Sequence, residues 1–146
     1  MPTSKNTGVF LPHEFAVIIG VHTVTGWSDD VFATLRQLTP NVNDSEGASG
    51  ETGIIIANSS KFELDINILQ TSKDNDVFSG LHRATITLGT VYPLRLEDPF
   101  GKTLGVAGST LFRQRPDASW NKNGVETRTW TLFIPHFEYT LGGNVN

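Results

Sequence analysis

No cysteine occurs among the 146 residues, which excludes a disulfide framework and any thiolate metal site. Charge is scarce as well. Asp, Glu, Lys and Arg make up 18% of the chain, 15 acidic against 11 basic, for a formal net charge of −4. A disordered chain needs more charge and less apolar content than the 38% found here. The small acidic surplus argues against a surface that grips nucleic acid by its phosphates. Long hydrophobic runs are missing too. The longest, Phe15 to Ile19, has five residues, whereas a membrane span needs about 20. Met1 to Leu11 lacks a basic stretch followed by an apolar core, so no signal peptide and a soluble protein are expected. No G-x-S-x-G elbow, phosphate loop or G-x-G-x-x-G run is present.

What remains is a chain of one-domain length, able to bury roughly two thirds of its unfolded surface. Most of it has strand character. Phe15–Ile19 and Val21–Trp27 flank Gly20 and suggest a hairpin. Phe32–Leu38 suits a strand better than a helical turn. In Lys61–Gln70, Phe62, Leu64, Ile66 and Ile68 alternate with Lys61, Glu63, Asp65 and Asn67, which gives a strand with one wet and one dry face. From Thr71 to Ala84 the period changes. Val77, Phe78, Leu81 and Ala84 form a helical stripe, and Ser72 or Asp74 can cap a helix of about ten residues. Strands resume at Val91–Glu97 and Thr103–Arg115, and a last long one is expected over Val125–Tyr139. Asp98–Lys102 and Asp117–Gly124 are turns. Gly105 and Gly108 imply a bend, a bulge or a close backbone approach. Thr39–Glu51 holds Pro, Asn, Asp, Ser and Gly and is expected to be a long loop, extending to Ala57, of the kind that is usually functional or disordered. The predicted fold is mainly β: an antiparallel β-sandwich or partly open barrel with one flanking α-helix.

The side chains offer little catalytic chemistry. None of the four histidines, His13, His22, His82 and His136, stands at ligand spacing from another, so they are expected at the surface or facing partners. The neighbouring carboxylates Asp29–Asp30 and Glu97–Asp98 fit turns better than acid–base work. Of the three tryptophans, Trp130 alternates with apolar residues and is expected in the core, while Trp27 and Trp120 could stack on a sugar. Arg113, Arg115 and Arg128, with Glu126 close in sequence, are candidates for polar contacts between subunits.

Taken in order, these pieces resemble the tail tube proteins of contractile-tailed bacteriophages over about Glu14 to Asn144. The motifs that carry the resemblance are Leu69-Gln70-Thr71-Ser72 with Asn75-Asp76-Val77, Thr127-Arg128 with Trp130, and the closing Gly142-Gly143-Asn144. At position 129 the pattern leads one to expect glutamate, and Thr129 stands there. The resemblance implies a structural virion protein without enzymatic activity or cofactor. It also implies homohexameric rings stacked into a hollow tube inside a tail sheath. A tape-measure protein and then double-stranded DNA would pass through the lumen, with baseplate and terminator proteins at the ends. A lumen that lets DNA slide should not bind phosphate, so the polar face with Glu63, Asp65 and Asn67 is nominated for the lumen. The polar loop, with Asn41, Asn43, Asp44, Glu46 and Glu51, is nominated for ring stacking, and residues 1–13 form an N-terminal arm. Alternatives are another ring-forming tail or baseplate component, a tailocin tube, and a carbohydrate-binding β-sandwich.

Overall fold

The structure is a computed structural model and describes residues 10–28, 31–98 and 103–143. Most of the N-terminal arm, the Asp29–Asp30 pair, the tip of the turn after Asp98 and Asn144 of the closing motif lie outside the described residues.

Among the described residues, ten strands and one α-helix follow a short 3₁₀ turn at Pro12–Glu14. The strands are β1 (Ala16–Ile19), β2 (His22–Thr23), β3 (Ala33–Gln37), β4 (Val42–Glu46), β5 (Thr52–Ile56), β6 (Phe62–Leu69), β7 (Tyr92–Asp98), β8 (Thr103–Gln114), β9 (Thr127–Ile134) and β10 (Glu138–Thr140); the helix, α1, spans Asp74–Leu88. All but β4 and β5 join one folded sheet in the order β2-β1-β7-β8-β9-β6-β3, with β10 alongside β8. Every pairing is antiparallel. The sheet becomes two layers through β8. Its first part pairs with β7 and its last residues, Leu111 to Gln114, with β9; irregularities at Tyr92/Leu94 and Phe112/Gln114 flank the handover. Bulges bend and twist a strand, which lets β8 serve both layers of a sandwich without closing a barrel.

Alternation decides what the layers enclose. Leu64, Ile66 and Ile68 of β6 lie opposite Leu132, Trp130 and Arg128 of β9. The apolar members of this set are buried, together with Val17, Ile19, Leu94, Leu96, Ala107, Phe112 and Ile134. Each Val, Leu, Ile or Phe side chain among them contributes about 1.5–3 kcal/mol by leaving water. The β1–β2 turn forms at Gly20, whose φ of 65° suits glycine. Gly105 is required for a different reason: a Cβ there would enter the ring of Phe137, which stacks in turn on Tyr139. Of the two β8 glycines, only Gly105 shows the expected close approach; Gly108 faces open space.

Three elements depart from expectation. The final strand is not continuous over Val125–Tyr139. It ends at Ile134, and β10 begins at Glu138, because Pro135 has no N–H for the ladder. The helix runs to Leu88, beyond Ala84, and stops at Gly89 with a left-handed φ of 70°. The segment Thr39–Ala57 is not a loop but a β-hairpin, with Val42 opposite Ile56 and Glu46 opposite Thr52. A polar strand exposed on both faces has no burial pattern to announce it.

Helix α1 packs against β8. Its stripe behaves as expected: Phe78 is buried against Phe112 and Trp130, and Val77 and Leu81 are partly buried. The first turn is tied down twice. Ser72 Oγ accepts from the Asp74 N–H at 3.1 Å. The buried Asp74 carboxylate reaches back to β2 and the segment after it, accepting from Thr25 N at 3.0 Å, Gly26 N at 2.7 Å and His22 Nε2 at 2.6 Å. Gly26 permits this approach, since a Cβ there would collide with Ser72.

Candidate functional site

The first candidate surface is the outward face of β3, β6 and β9. Strand alternation turns Glu63, Asp65 and Asn67 to one side of β6, and the register sets Arg36 of β3 opposite Glu63 and Thr129 of β9 opposite Asn67. Arg36 donates from Nη1 to Asp65 Oδ2 at 2.6 Å and from Nη2 to Glu63 Oε2 at 2.7 Å. Arg113 reaches the other oxygen of Glu63 at 3.0 Å, with its guanidinium 4.5 Å from the Phe133 ring centroid. Thr131 Oγ1 donates to Asp65 at 2.8 Å, and Thr129 Oγ1 to Asn67 Oδ1 at 2.6 Å. Asn67 Nδ2 donates to the Val31 carbonyl at 2.6 Å. Burial alone would push the Asp65 pKa up. The hydrogen bonds from Arg36 and Thr131 outweigh it and hold the carboxyl below its ordinary value. The Arg36 guanidinium, bonded to Asp65 and Glu63, is correspondingly harder to deprotonate.

The three lumen candidates therefore share one face, but its carboxylates are not free acid. Two guanidiniums, Arg36 and Arg113, match two carboxylates, Glu63 and Asp65. The face is charge-balanced where the sequence had suggested a negative one. Arg36 escaped the sequence reading because only the long-range pairing of β3 with β6 brings it to the acids.

The other arginine candidates do not gather. Arg113 joins the cluster above. Arg115 and Glu126 line a polar cleft of about 330 Å³ with Thr127, Thr129 and Thr131. Arg128 lies on the Trp130 side of β9, its guanidinium 5.9 Å from the ring centroid of Trp120. Trp120 is exposed, whereas Trp27 packs with Phe15 and Phe32 in an aromatic cluster beside the core. His82 corrects the expectation of surface histidines: it is buried, and its Nδ1–H donates to the Phe112 carbonyl at 3.1 Å. His22 is bound to Asp74, and His136 lies beside Ser60. Among the described residues, no three His, Cys, Asp or Glu side chains gather as a metal ion would need.

The second candidate surface is the β4–β5 hairpin, exposed at every residue of both strands. The register places Val42, Asp44 and Glu46 on one face with Ile56, Ile54 and Thr52, and Asn43 and Ser45 on the other with Ile55 and Gly53. Val42 is 64% exposed, Ile54 71% and Ile56 80%. All five loop candidates lie on this ribbon or its approaches. Asn41 anchors its base, donating from Nδ2 to the Ala57 and Ser59 carbonyls at 2.9 and 2.8 Å. Asn43, Asp44 and Glu46 are in β4, and Glu51 precedes β5.

Two of the motifs behind the resemblance converge on a third, internal place, while Gly142 of the closing motif bonds Thr103 of β8. Asn75 Nδ2 donates to the carbonyls of Leu69, Gln70 and Ser72, and its Oδ1 accepts from Trp130 Nε1 at 3.1 Å. Gln70 Oε1 accepts from the Glu126 N–H at 3.1 Å, and Gln70 N donates back to the Glu126 carbonyl at 2.9 Å. These residues fasten β6, α1 and β9 together.

The described residues thus form a two-layer sandwich with one flanking helix, a charge-balanced polar face and a bare apolar ribbon. No family model matches the chain. Its sequence is 25% identical over 148 residues to structural protein ORF10 of Pseudomonas phage KPP10, a match covering 94% of this chain and 84% of that protein. Its fold is similar to that of a chain in the cryo-EM structure of the anti-feeding prophage cap (AFP tube terminating cap), with a TM-score of 0.61 and 10% sequence identity over 97% of each chain. The chain is thus similar in sequence to a phage structural protein and similar in fold to a chain of a contractile tail-type assembly.

Proposed function

We propose that this protein builds the inner tube of a contractile phage tail, as homohexameric rings stacked within a sheath and bounded by baseplate and terminator proteins. The observation that carries the reading is the uncovered hairpin. Single exposed apolar residues are ordinary, but three on one face of a ribbon, with Ile55 on its back, call for a partner. A heterologous contact propagates from copy to copy, as a stack requires. In this reading the Arg36–Glu63–Asp65–Arg113 face and Asn67 line the lumen. Cations there would tether passing DNA through its phosphates; here each guanidinium is already held by a carboxylate. Arg115, Glu126 and Arg128 are assigned to contacts around the ring.

Electron microscopy of the concentrated protein tests this, with hollow tubes as the expected result. Deleting Ser45–Gly50, the end of β4 and the turn, should abolish tubes while leaving a folded subunit with its thermal unfolding intact. Tubes of normal length from that deletion would sink the assignment. A second reading, a cap that ends a tube, is favoured by the fold match over 97% of each chain. Single rings that never stack, yet bind the end of a preformed tube, would establish it instead.

A further inference from the structure

A pocket of about 530 Å³ lies between the two layers of the sandwich, within the size range of ligand sites. Leu64 of β6 and Leu96 of β7, buried members of opposite layers, line it with Phe15, Phe32 and Tyr139. Among the described residues around it the only charged side chain is Asp98, which is 6% exposed. A carboxylate set among apolar and aromatic side chains favours a cation on an apolar stem. A carboxylate accepts at about four positions, so an ammonium can add to the contact that Asp98 already has.

The chain itself brings such a group to the pocket. Phe10, the first described residue, and Leu141 both line it and are 47% and 75% exposed, which places them at its mouth. Residues 1–9 hold one cation, Lys5, and no acid. Lys5 stands five residues before Phe10, within roughly 17 Å of extended chain. Val9 adjoins Phe10 directly. A segment covalently joined to the wall of a pocket has an effective concentration there in the millimolar range, which no free partner matches in dilute solution.

We propose that residues 1–9 fold back as a strap over this pocket of their own chain, with Val9 covering its apolar rim and the Lys5 ammonium meeting Asp98. The strap belongs to the single subunit and does not depend on the tube reading.

The chain has no cysteine, so introduced thiols are the only ones. A dilute Thr3→Cys and Leu141→Cys double variant is treated with a short bis-maleimide, and the intrachain product is read by intact mass. Its yield should be several-fold above that of a Thr3→Cys and Trp120→Cys double variant, Trp120 being 73% exposed and not part of the pocket. Lys5→Glu should lower the yield several-fold while the protein stays folded. Lys5→Ala should lower the midpoint of thermal unfolding in the unaltered chain and leave it unchanged in the Asp98→Asn background. A yield unmoved by Lys5→Glu, or a Lys5→Ala loss that persists with Asp98→Asn, would overturn the strap. Should Asp98→Asn fail to fold, the Lys5→Glu yield alone decides. Cross-linked dimers from a dilute mixture of the Thr3→Cys and Leu141→Cys single variants would assign the pocket to a second copy and overturn the intrachain docking.

Discussion

The β6–α1–β9 junction and the β4–β5 hairpin are built on opposite principles. At the junction two buried polar side chains are satisfied by their neighbours: Asn75 bonds three carbonyls and Trp130, and Asp74 bonds two backbone amides and His22. Its apolar side chains, Phe78, Phe112 and Trp130, are buried ring against ring. The hairpin has backbone pairing and little else, and its isoleucines face outward. A fold is stabilised by what it covers. The junction therefore carries more of the subunit's stability than the hairpin, whose apolar side chains stay in water.

Mutations should separate the two regions cleanly. The largest loss is expected from Trp130→Ala, which removes a buried ring and leaves Asn75 Oδ1 without its donor. Urea titration should show destabilisation of about 3–5 kcal/mol. Asp74→Ala strands the Thr25 and Gly26 amides and should cost roughly 1–3 kcal/mol by the same measurement. Gly105→Ala pushes against Phe137 and should cost about 1–3 kcal/mol, while Gly108→Ala on the same strand, facing open space, should cost clearly less. The smallest effect on folding belongs to Ile54→Ser with Ile56→Ser, within about 0.5 kcal/mol per site. This pair should nonetheless abolish assembly seen by sedimentation. Loss of stability comparable to Trp130→Ala would erase the distinction between the regions.

Acid sharpens it further. Burial pushes the Asp74 carboxyl up, but the hydrogen bonds from Gly26, Thr25 and His22 outweigh it and hold the pKa below the ordinary value. Asp65 is lowered likewise. A carboxyl with a lowered folded pKa stabilises the fold fully above its unfolded value of about 3.9 and loses that contribution as pH falls through the folded value. Thermal unfolding followed below about pH 4 should show a steep acid limb that flattens in Asp74→Asn. The hairpin deletion should leave that limb unchanged.

How much could be read from the residues follows from what each element buries. Lys61–Gln70 announces itself because Leu64, Ile66 and Ile68 face a core and Glu63, Asp65 and Asn67 do not. The helix was legible through Val77, Phe78, Leu81 and Ala84. Its last turn was not, because Ile86 and Leu88 point away from that core and break the stripe. The hairpin was missed for the same physical reason: Val42–Glu46 is exposed on both faces and alternates nothing. The lumen and loop candidates fell on shared surfaces because strand alternation and loop composition are local properties. Arg36, the Asn75–Trp130 bond and the scattering of Arg113, Arg115 and Arg128 depend on pairings between distant strands, for which a single sequence carries no period. Two of the motifs behind the resemblance, Leu69–Ser72 with Asn75–Val77 and Thr127-Arg128 with Trp130, lie at the junction, while Gly142 bonds Thr103 of β8.

The run Gly53-Ile54-Ile55-Ile56 has a consequence for the newly made protein. Short, β-branched, uncharged and bare, with an open strand edge beside it, it is the kind of segment that seeds amyloid-like clumping. Asp44, Glu46 and Glu51 sit across from it or next to it, where gatekeeper charges would be placed to slow that reaction. Mutual repulsion of these acids opposes the edge-to-edge pairing of one bare ribbon with another.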